Sequence, residues 1–384
     1  MKFIISKLFL FIRQTCAPPL SACFFVATFS FISLVSNPAN LGAAVNSRSF
    51  PTFPAIEANV DFWEKIYSKY STSEAVLHDR NDLTKIYGVI PIIDYLLPGA
   101  PQLNKPFIER SKQKYIAILT HLAQGHHPIT KEERRIAAMH KGAGKKQLLR
   151  ASESIRAQIG QKERFRAGVV RSGAYMPEIK RIFRSLNLPE ELAYLPHVES
   201  SFNPDAHSKA GASGLWQFTR STGKNYLRID HIVDERRDPI LASHAAAKFL
   251  KRNHTVLGSW PLALTAYNYG TSGMARAKKS KGSYERIFLE YNEGYFKFAS
   301  RNFYPSFLAA IKAAQKLEKN PSLQLHKPLP TSATRHLKRA STATIRKTDS
   351  AIKPSFSQEK KQPPNGYRLT LQPHQRAIKN KQLL

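Results

Sequence analysis

Sulfur is nearly missing from this chain. Its 384 residues hold two cysteines and four methionines. Both cysteines, Cys16 and Cys23, fall in one apolar stretch near the N-terminus. The body of the protein therefore has no disulfide framework, no thiol nucleophile and no Cys/His zinc spacing. Acidic residues are scarce as well: 27 Asp and Glu stand against 59 Lys and Arg, a formal net charge of +32. Such a balance points to anionic partners, among them nucleic acid, acidic lipid headgroups and cell-wall polymers. The pair His126-His127 lies between Gly125 and Pro128, with no further ligands nearby in sequence. It reads as exposed loop rather than a metal site. No metal and no cofactor is expected. No strand with clean alternation stands out, and no internal repeat is found.

The N-terminus is where the apolar residues concentrate. Lys2, Lys7 and Arg13 precede a charge-free run over residues 19–35, and small residues follow at Gly42, Ala43 and Ala44. This reads as a secretory signal over 1–44, cleaved near Ala44. An uncleaved membrane anchor is the alternative, since about 17 residues is near the lower limit for a span. Leu20-Ser21-Ala22-Cys23 resembles a lipobox, but the strongest apolar run comes after Cys23. In each case the body leaves the cytoplasm, for the periplasm or cell envelope, and nucleic acid loses ground as the partner.

Beyond the signal, three regions are expected. Residues 45–187 read as a helical N-terminal region, with helices over 58–70 and 106–125 and basic amphipathic helices over 129–187. Residues 188–318 hold fewer charges and more apolar and aromatic side chains. Within them Asp238-Pro239, Pro261 and Pro305 read as helix starts, and Gly270 as a helix stop. Residues 319–384 read as a disordered basic tail, rich in Ser, Thr, Pro and Lys. The fold class is mostly α.

The stretch LPHVESSFNP, 195–204, ends a helical run on a carboxylate. Glu199 follows Tyr194, Leu195 and Val198 and precedes Phe202. Apolar neighbours desolvate an acid and raise its pKa, as a general acid near neutral pH requires. A surface glutamate in a last helical turn is the other reading, and local residues alone leave the two level. Then SKAGASGLWQF, 208–218, places Gly211 and Gly214 where backbone can approach a ligand, with Gln217 able to bond a polar one. AYNYG, 266–270, puts Tyr267 and Asn268 at a helix end, with flat faces and polar tips suited to sugars.

In this order Glu199-Ser200, GLWQ at 214–217, AYN at 266–268 and Tyr304 in RNFYPSFLAA resemble the motifs of the lytic transglycosylases of glycoside hydrolase family 23, which have the goose-type lysozyme-like fold. The wording is most similar to the D-type membrane-bound enzymes. The resemblance covers about residues 185–315. It implies Glu199 as a single catalytic acid/base, with Ser208 close to it and to the N-acetyl sugar. It implies Gln217, Tyr267 and Asn268 as residues lining the cleft, and Tyr304 as a tyrosine held near the glutamate. The implied substrate is peptidoglycan, cut between N-acetylmuramic acid and N-acetylglucosamine to leave a 1,6-anhydro end. LysM-type wall-binding repeats, common in D-type enzymes, are not found in 322–384. The basic regions are the candidate contacts to anionic membrane or wall polymers. A hydrolytic muramidase on the same fold and a non-catalytic wall-binding protein are the competing readings.

Overall fold

The computed structural model describes residues 49–329. The segment read as a signal, both cysteines and the tail beyond 329 lie outside the described residues. The described chain is mostly α, with thirteen α-helices and one small sheet among these residues. No described helix is long and apolar enough to cross a membrane.

Helix α1 (Pro54–Ser68) starts on a proline, which suits a first helical turn. The strands β1 (Glu74–Asp79) and β2 (Ile86–Pro91) follow, then α2 (Ala100–Ala123), α3 (Lys131–Met139), α4 (Lys145–Glu153) and β3 (Ile155–Ile159). The three strands form one antiparallel sheet in the order β2-β1-β3. Leu77 and Tyr87 from the sheet pack with Tyr115 and Leu119 of α2, Ile136 of α3 and Leu148 of α4, a small core of its own. Thr130 and Glu133 cap α3 reciprocally, each side chain bonding the other's backbone N–H.

The sheet corrects the expectation that 45–187 is a helical region throughout. β1 is the central strand and is buried on both faces from Ala75 to Asp79. A strand covered on both faces does not alternate, and the three-residue apolar run Ala75-Val76-Leu77 is ambiguous by periodicity alone.

The larger core begins again with α5 (Lys162–Ser172) and α6 (Met176–Ser185). After a 3₁₀ turn over Glu190–Tyr194 come α7 (Leu195–Glu199), α8 (Arg220–Gly223), α9 (Pro239–Leu257), α10 (Trp260–Tyr269), α11 (Thr271–Lys281), α12 (Tyr284–Glu290) and α13 (Phe298–Glu318). Asp238 caps α9, accepting from the N–H groups of Ile240 and Leu241. α10 is buried on every side from Trp260 to Ala266, which makes it the central helix. Alanines on α9, α10 and α13 (Ala246, Ala263, Ala310 and others) are fully buried and let these helices approach closely.

One hydrophobic cluster runs across the expected boundary at 187/188. It joins Ile56, Val60 and Ile66 of α1, Phe165 of α5 and Ile182 of α6 to Leu264 and Phe307. The contact between α1 and α13 is sealed by polar groups too: Asn59 and Trp63 both donate to Asn302, at 2.8 and 3.1 Å. Pro305, expected to open a helix, lies inside α13 instead. Its missing N–H costs one helical bond, tolerated here because burial of the surrounding turns holds the helix. Residues 320–329, read as the start of the tail, run back along α5, where His326 and Leu329 donate backbone bonds to Val170 and Ala174.

Leu264 sits at the centre of this core and is fully buried. Leu264→Ala is expected to lower stability by about 2–5 kcal/mol, read from urea denaturation followed by circular dichroism.

Candidate active site

Glu199 is delivered by two short helical pieces where one distorted helix was expected. Pro196 is the reason: it takes an early position in α7, where a missing N–H is harmless, so the 3₁₀ turn stops and a new helix starts. The Pro196 carbonyl then collects the N–H groups of Ser200 and Phe202 at 3.0 and 3.1 Å, which stops the helix just after Glu199. Ser201 and Phe202 both adopt left-handed backbone, with φ of 51° and 53°. That conformation costs about 1–3 kcal/mol for each non-glycine residue and needs support from its surroundings. Arg171 of α5 supplies it, donating to the Ser201 carbonyl at 2.7 Å and the Phe202 carbonyl at 3.3 Å. Gly168, one turn before, has no side chain for a reason: a Cβ there would meet the Ser201 carbonyl oxygen at 2.7 Å.

The glycine-containing loop of 206–218 closes on the same turn. Gly214, at φ 78°, donates its N–H to the Ala206 carbonyl at 2.9 Å. A Cβ on it would fall 1.8 Å from the Arg236 carbonyl, so only glycine fits. Two hydroxyls then pin the GLWQ turn. Ser200 donates to the Leu215 carbonyl at 2.8 Å, and Tyr267 of α10 donates to the Trp216 carbonyl at 2.9 Å. Trp216 itself is core: its ring stacks on Phe183, and its indole N–H donates to Ser243.

The electrostatics are those of an acid without a counter-charge. Glu199 keeps a partly accessible surface, yet protein surrounds its carboxyl, and that desolvation pushes its pKa up to about 8. Its charge is felt by two phenols. Tyr67 of α1 and Tyr267 are both raised above the usual tyrosine range, first by burial and further by Glu199. Tyr67 is 3% exposed, stacks on Phe165 at 4.6 Å and hydrogen-bonds Ser306 of α13. His197, two residues before the acid, supplies no cation. Burial among Phe165, Tyr194 and Phe202 pushes it down to about 3, so it is neutral at ordinary pH.

The aspartates that could have formed a second catalytic carboxyl are committed elsewhere. Asp205 is exposed and faces Arg237. Asp230 accepts from the N–H groups of Val233 and Ile232 and from Arg228, which hold its pKa well below the usual range. Asp234 pairs with Arg236, and Asp238 caps α9. Among the described residues no group of three or more His, Cys, Asp or Glu is placed to hold a metal ion.

The residues proposed from the sequence divide into two groups. Tyr267, Gln217 and Ser200 gather around the turn that holds Glu199. Gln217 sits at φ 48°, and its side-chain N–H₂ donates to the carbonyls of Ala206 and Gly214. Asn268 is exposed and accepts from the Ser300 hydroxyl at 2.8 Å. Ser208 is exposed and turned to its own loop, accepting from the Ala212 N–H at 2.9 Å. Tyr304 is not brought to Glu199. It is fully buried, its hydroxyl donates to the Pro51 carbonyl at 2.8 Å, and its ring packs edge-on against Tyr284. One helical position separates the faces of α13: Phe303 stacks toward Tyr267 and Ser306 toward Tyr67, while Tyr304 looks to the N-terminal segment. The phenol that feels the acid's charge from this side is Tyr67 of α1, bonded to Ser306 of α13, which sequence reading missed. Its spacing from Asn59 and Trp63 is that of an ordinary core stripe, and nothing local tells the two apart.

Residues 178–288 match the transglycosylase SLT domain family. They contain Glu199, the GLWQ turn and Tyr267 in the arrangement just described. The chain is 40% identical over 113 residues to the membrane-bound lytic murein transglycosylase D of Escherichia coli (strain K12), covering 29% of this chain and 25% of that protein. A protein of Alteromonas sp. (strain M-1) named for tributyltin chloride resistance is 38% identical over 109 residues, 28% of this chain and 53% of its own length. The chain thus spans about a quarter of the first relative and half of the other. The SLT match starts inside α6 and ends at Phe288, so α1, with Tyr67, and α13 both lie beyond it.

The raised pKa has a sign that stability measurements can read. Near pH 4 both Glu199 and its unfolded counterpart are largely protonated, and burial costs little. Between the unfolded carboxyl pKa and about 8, the unfolded chain releases a proton that the folded one retains, so folding loses stability as pH rises. Glu199→Gln is therefore expected to raise the melting temperature at pH 8, by roughly 2–4 °C or more, and to change it little at pH 4.

Proposed function

We propose that this protein is a peptidoglycan lytic transglycosylase, cleaving the β-1,4 bond between N-acetylmuramic acid and N-acetylglucosamine with Glu199 as sole acid/base. The observation that carries the reading is the desolvated carboxyl of Glu199, its pKa pushed up to about 8 by burial, with no other carboxylate among the described residues acting on it. Two-carboxylate glycosidases need a partner about 5–9.5 Å away, as nucleophile or as base for a water. The nearby aspartates are used in caps and ion pairs.

A protonated Glu199 donates its proton to the glycosidic oxygen, the bond from C1 of the muramic acid to that oxygen breaks, and the N-acetylglucosamine leaves as an alcohol. The muramic acid's own acetamido group stabilises the positive charge at C1. Glu199, now a carboxylate, takes the proton from the C6 hydroxyl as that oxygen bonds to C1, closing the 1,6-anhydro ring. The acid is restored, and no water is consumed. An intramolecular hydroxyl held beside C1 gains from proximity what a free water would lack. Gln217 and Tyr267 flank the acid and Asn268 lies at the open end of α10, so these three are assigned to sugar contact. Ser208 is assigned to the loop rim, at the sugar's N-acetyl group. An envelope location follows from the apolar N-terminal segment, and the basic surface is assigned to anionic wall or membrane polymers.

Purified sacculi digested with the wild-type protein are expected to release muropeptides ending in 1,6-anhydro-N-acetylmuramic acid, identified by mass spectrometry. Glu199→Gln is expected to lower the rate about 100-fold or more. Reducing ends in place of anhydro ends would establish hydrolysis instead. Because the proton donor is the neutral acid, activity is expected to fall as pH rises through about 8.

A further inference from the structure

A second site lies away from Glu199. A cavity of about 780 Å³ opens between the N-terminal part of α1, the β1–β2 connection, β3 and the α12–α13 junction. Four cations line it: Arg80, Arg156, Lys297 and Arg301. Among the described residues none of the four forms an ion pair with a carboxylate. The one acid on the wall, Asp82, is already paired with Lys85 at 2.9 Å. Like charges gathered without counter-charge repel, and something must keep them there.

Aromatic rings do part of that. The Arg156 guanidinium lies over the Phe298 ring at 4.3 Å, and Arg301 lies 5.5 Å from Phe296 and 5.9 Å from Phe288. Arg301 is fixed further by the Tyr291 carbonyl at 2.7 Å and the Asn292 side chain at 2.6 Å. Lost hydration, with Arg80 close by, lowers the Arg156 pKa from the usual guanidinium value. Arg156 is thus held by a ring, and Arg301 by rings and a carbonyl, while their charge stays uncompensated. Planar donor forks in such a setting match a carboxylate or phosphate oxyanion.

The position narrows the source. Asn59 is on the cavity wall, and Tyr67 beside Glu199 lies eight residues further along α1. That is about 12 Å of helix, the span of roughly four extended residues. We infer that this cavity binds the carboxylates of the short acidic peptide that hangs from the glycan, and so selects peptide-bearing strands over bare ones. The inference rests on the peptidoglycan reading above. A peptide attached at the muramic acid held by Glu199 needs about that reach to place its carboxylates among the arginines.

The test is a binding titration on the full chain carrying Glu199→Gln, in which nothing is cleaved. The probes are the stem peptide released from sacculi by an amidase, the same peptide with its carboxyls methyl-esterified, inorganic phosphate, and vesicles containing phosphatidylglycerol. The free peptide is expected to bind, the ester at least tenfold more weakly, and Arg80→Gln/Arg156→Gln is expected to weaken the free peptide at least tenfold at unchanged melting temperature. Equal binding of acid and ester, no binding of the peptide, or arginine-dependent binding of phosphate or vesicles in its place would overturn the inference. The ester comparison needs no variant, so a poorly folding double substitution leaves the result readable. The anhydro-end assay is separate: peptide binding without anhydro products would reject the transglycosylase reading alone, and the reverse result would reject the cavity assignment alone.

Discussion

An uncompensated carboxyl is the constraint on which the rest of this structure turns. Holding the Glu199 carboxylate in protein without a cation is unfavourable, and each neighbour is consistent with that choice. His197 is caged by aromatic rings and stays neutral. The nearest cation on the turn, Arg171, is spent on the carbonyls of Ser201 and Phe202. The hydroxyls of Ser200 and Tyr267 are spent on Leu215 and Trp216. The donors around the acid therefore fix backbone and leave the carboxyl to its own high proton affinity. Left-handed backbone at Ser201, Phe202 and Gln217 shows where strain is stored to achieve this.

Much of the catalytic region was legible from residues because its signals are local. A proline after an aspartate starts α9, a glycine ends α10, and a carboxylate among apolar residues is desolvated wherever it lies. The glycine at 214 was read as a place for close backbone approach, and the structure puts the Arg236 carbonyl there. What could not be read depends on partners far away in the chain. β1 is covered on both faces, so its pattern carries no period. Tyr67 looks like any core aromatic until α13 is placed beside it. Tyr304 illustrates the limit within a motif: a shift of one residue on a helix turns a side chain by about 100°, and no local signal distinguishes Phe303 from Tyr304 as the one that faces the acid.

The N-terminal helices are structural partners of the SLT domain as much as an extension of it. α1 contributes Tyr67 to the acid's surroundings and Asn59 to the basic cavity, and it packs along α13 in one continuous hydrophobic cluster. The small sheet with α2–α4 has its own core and borders the cavity through β3. A fragment cut to residues 178–288 would lose both α1 and α13.

The bond from Asn59 to Asn302 joins residues 243 positions apart. Such a contact has consequences for the order of assembly. Local helices and the α2–α4 cluster close early, whereas long loops make the α1–α13 seam entropically late. The surroundings of Glu199 are complete only when that seam has formed. Until the last helix docks against the first, residues 178–288 hold their carboxyl without Tyr67 and α13 around it.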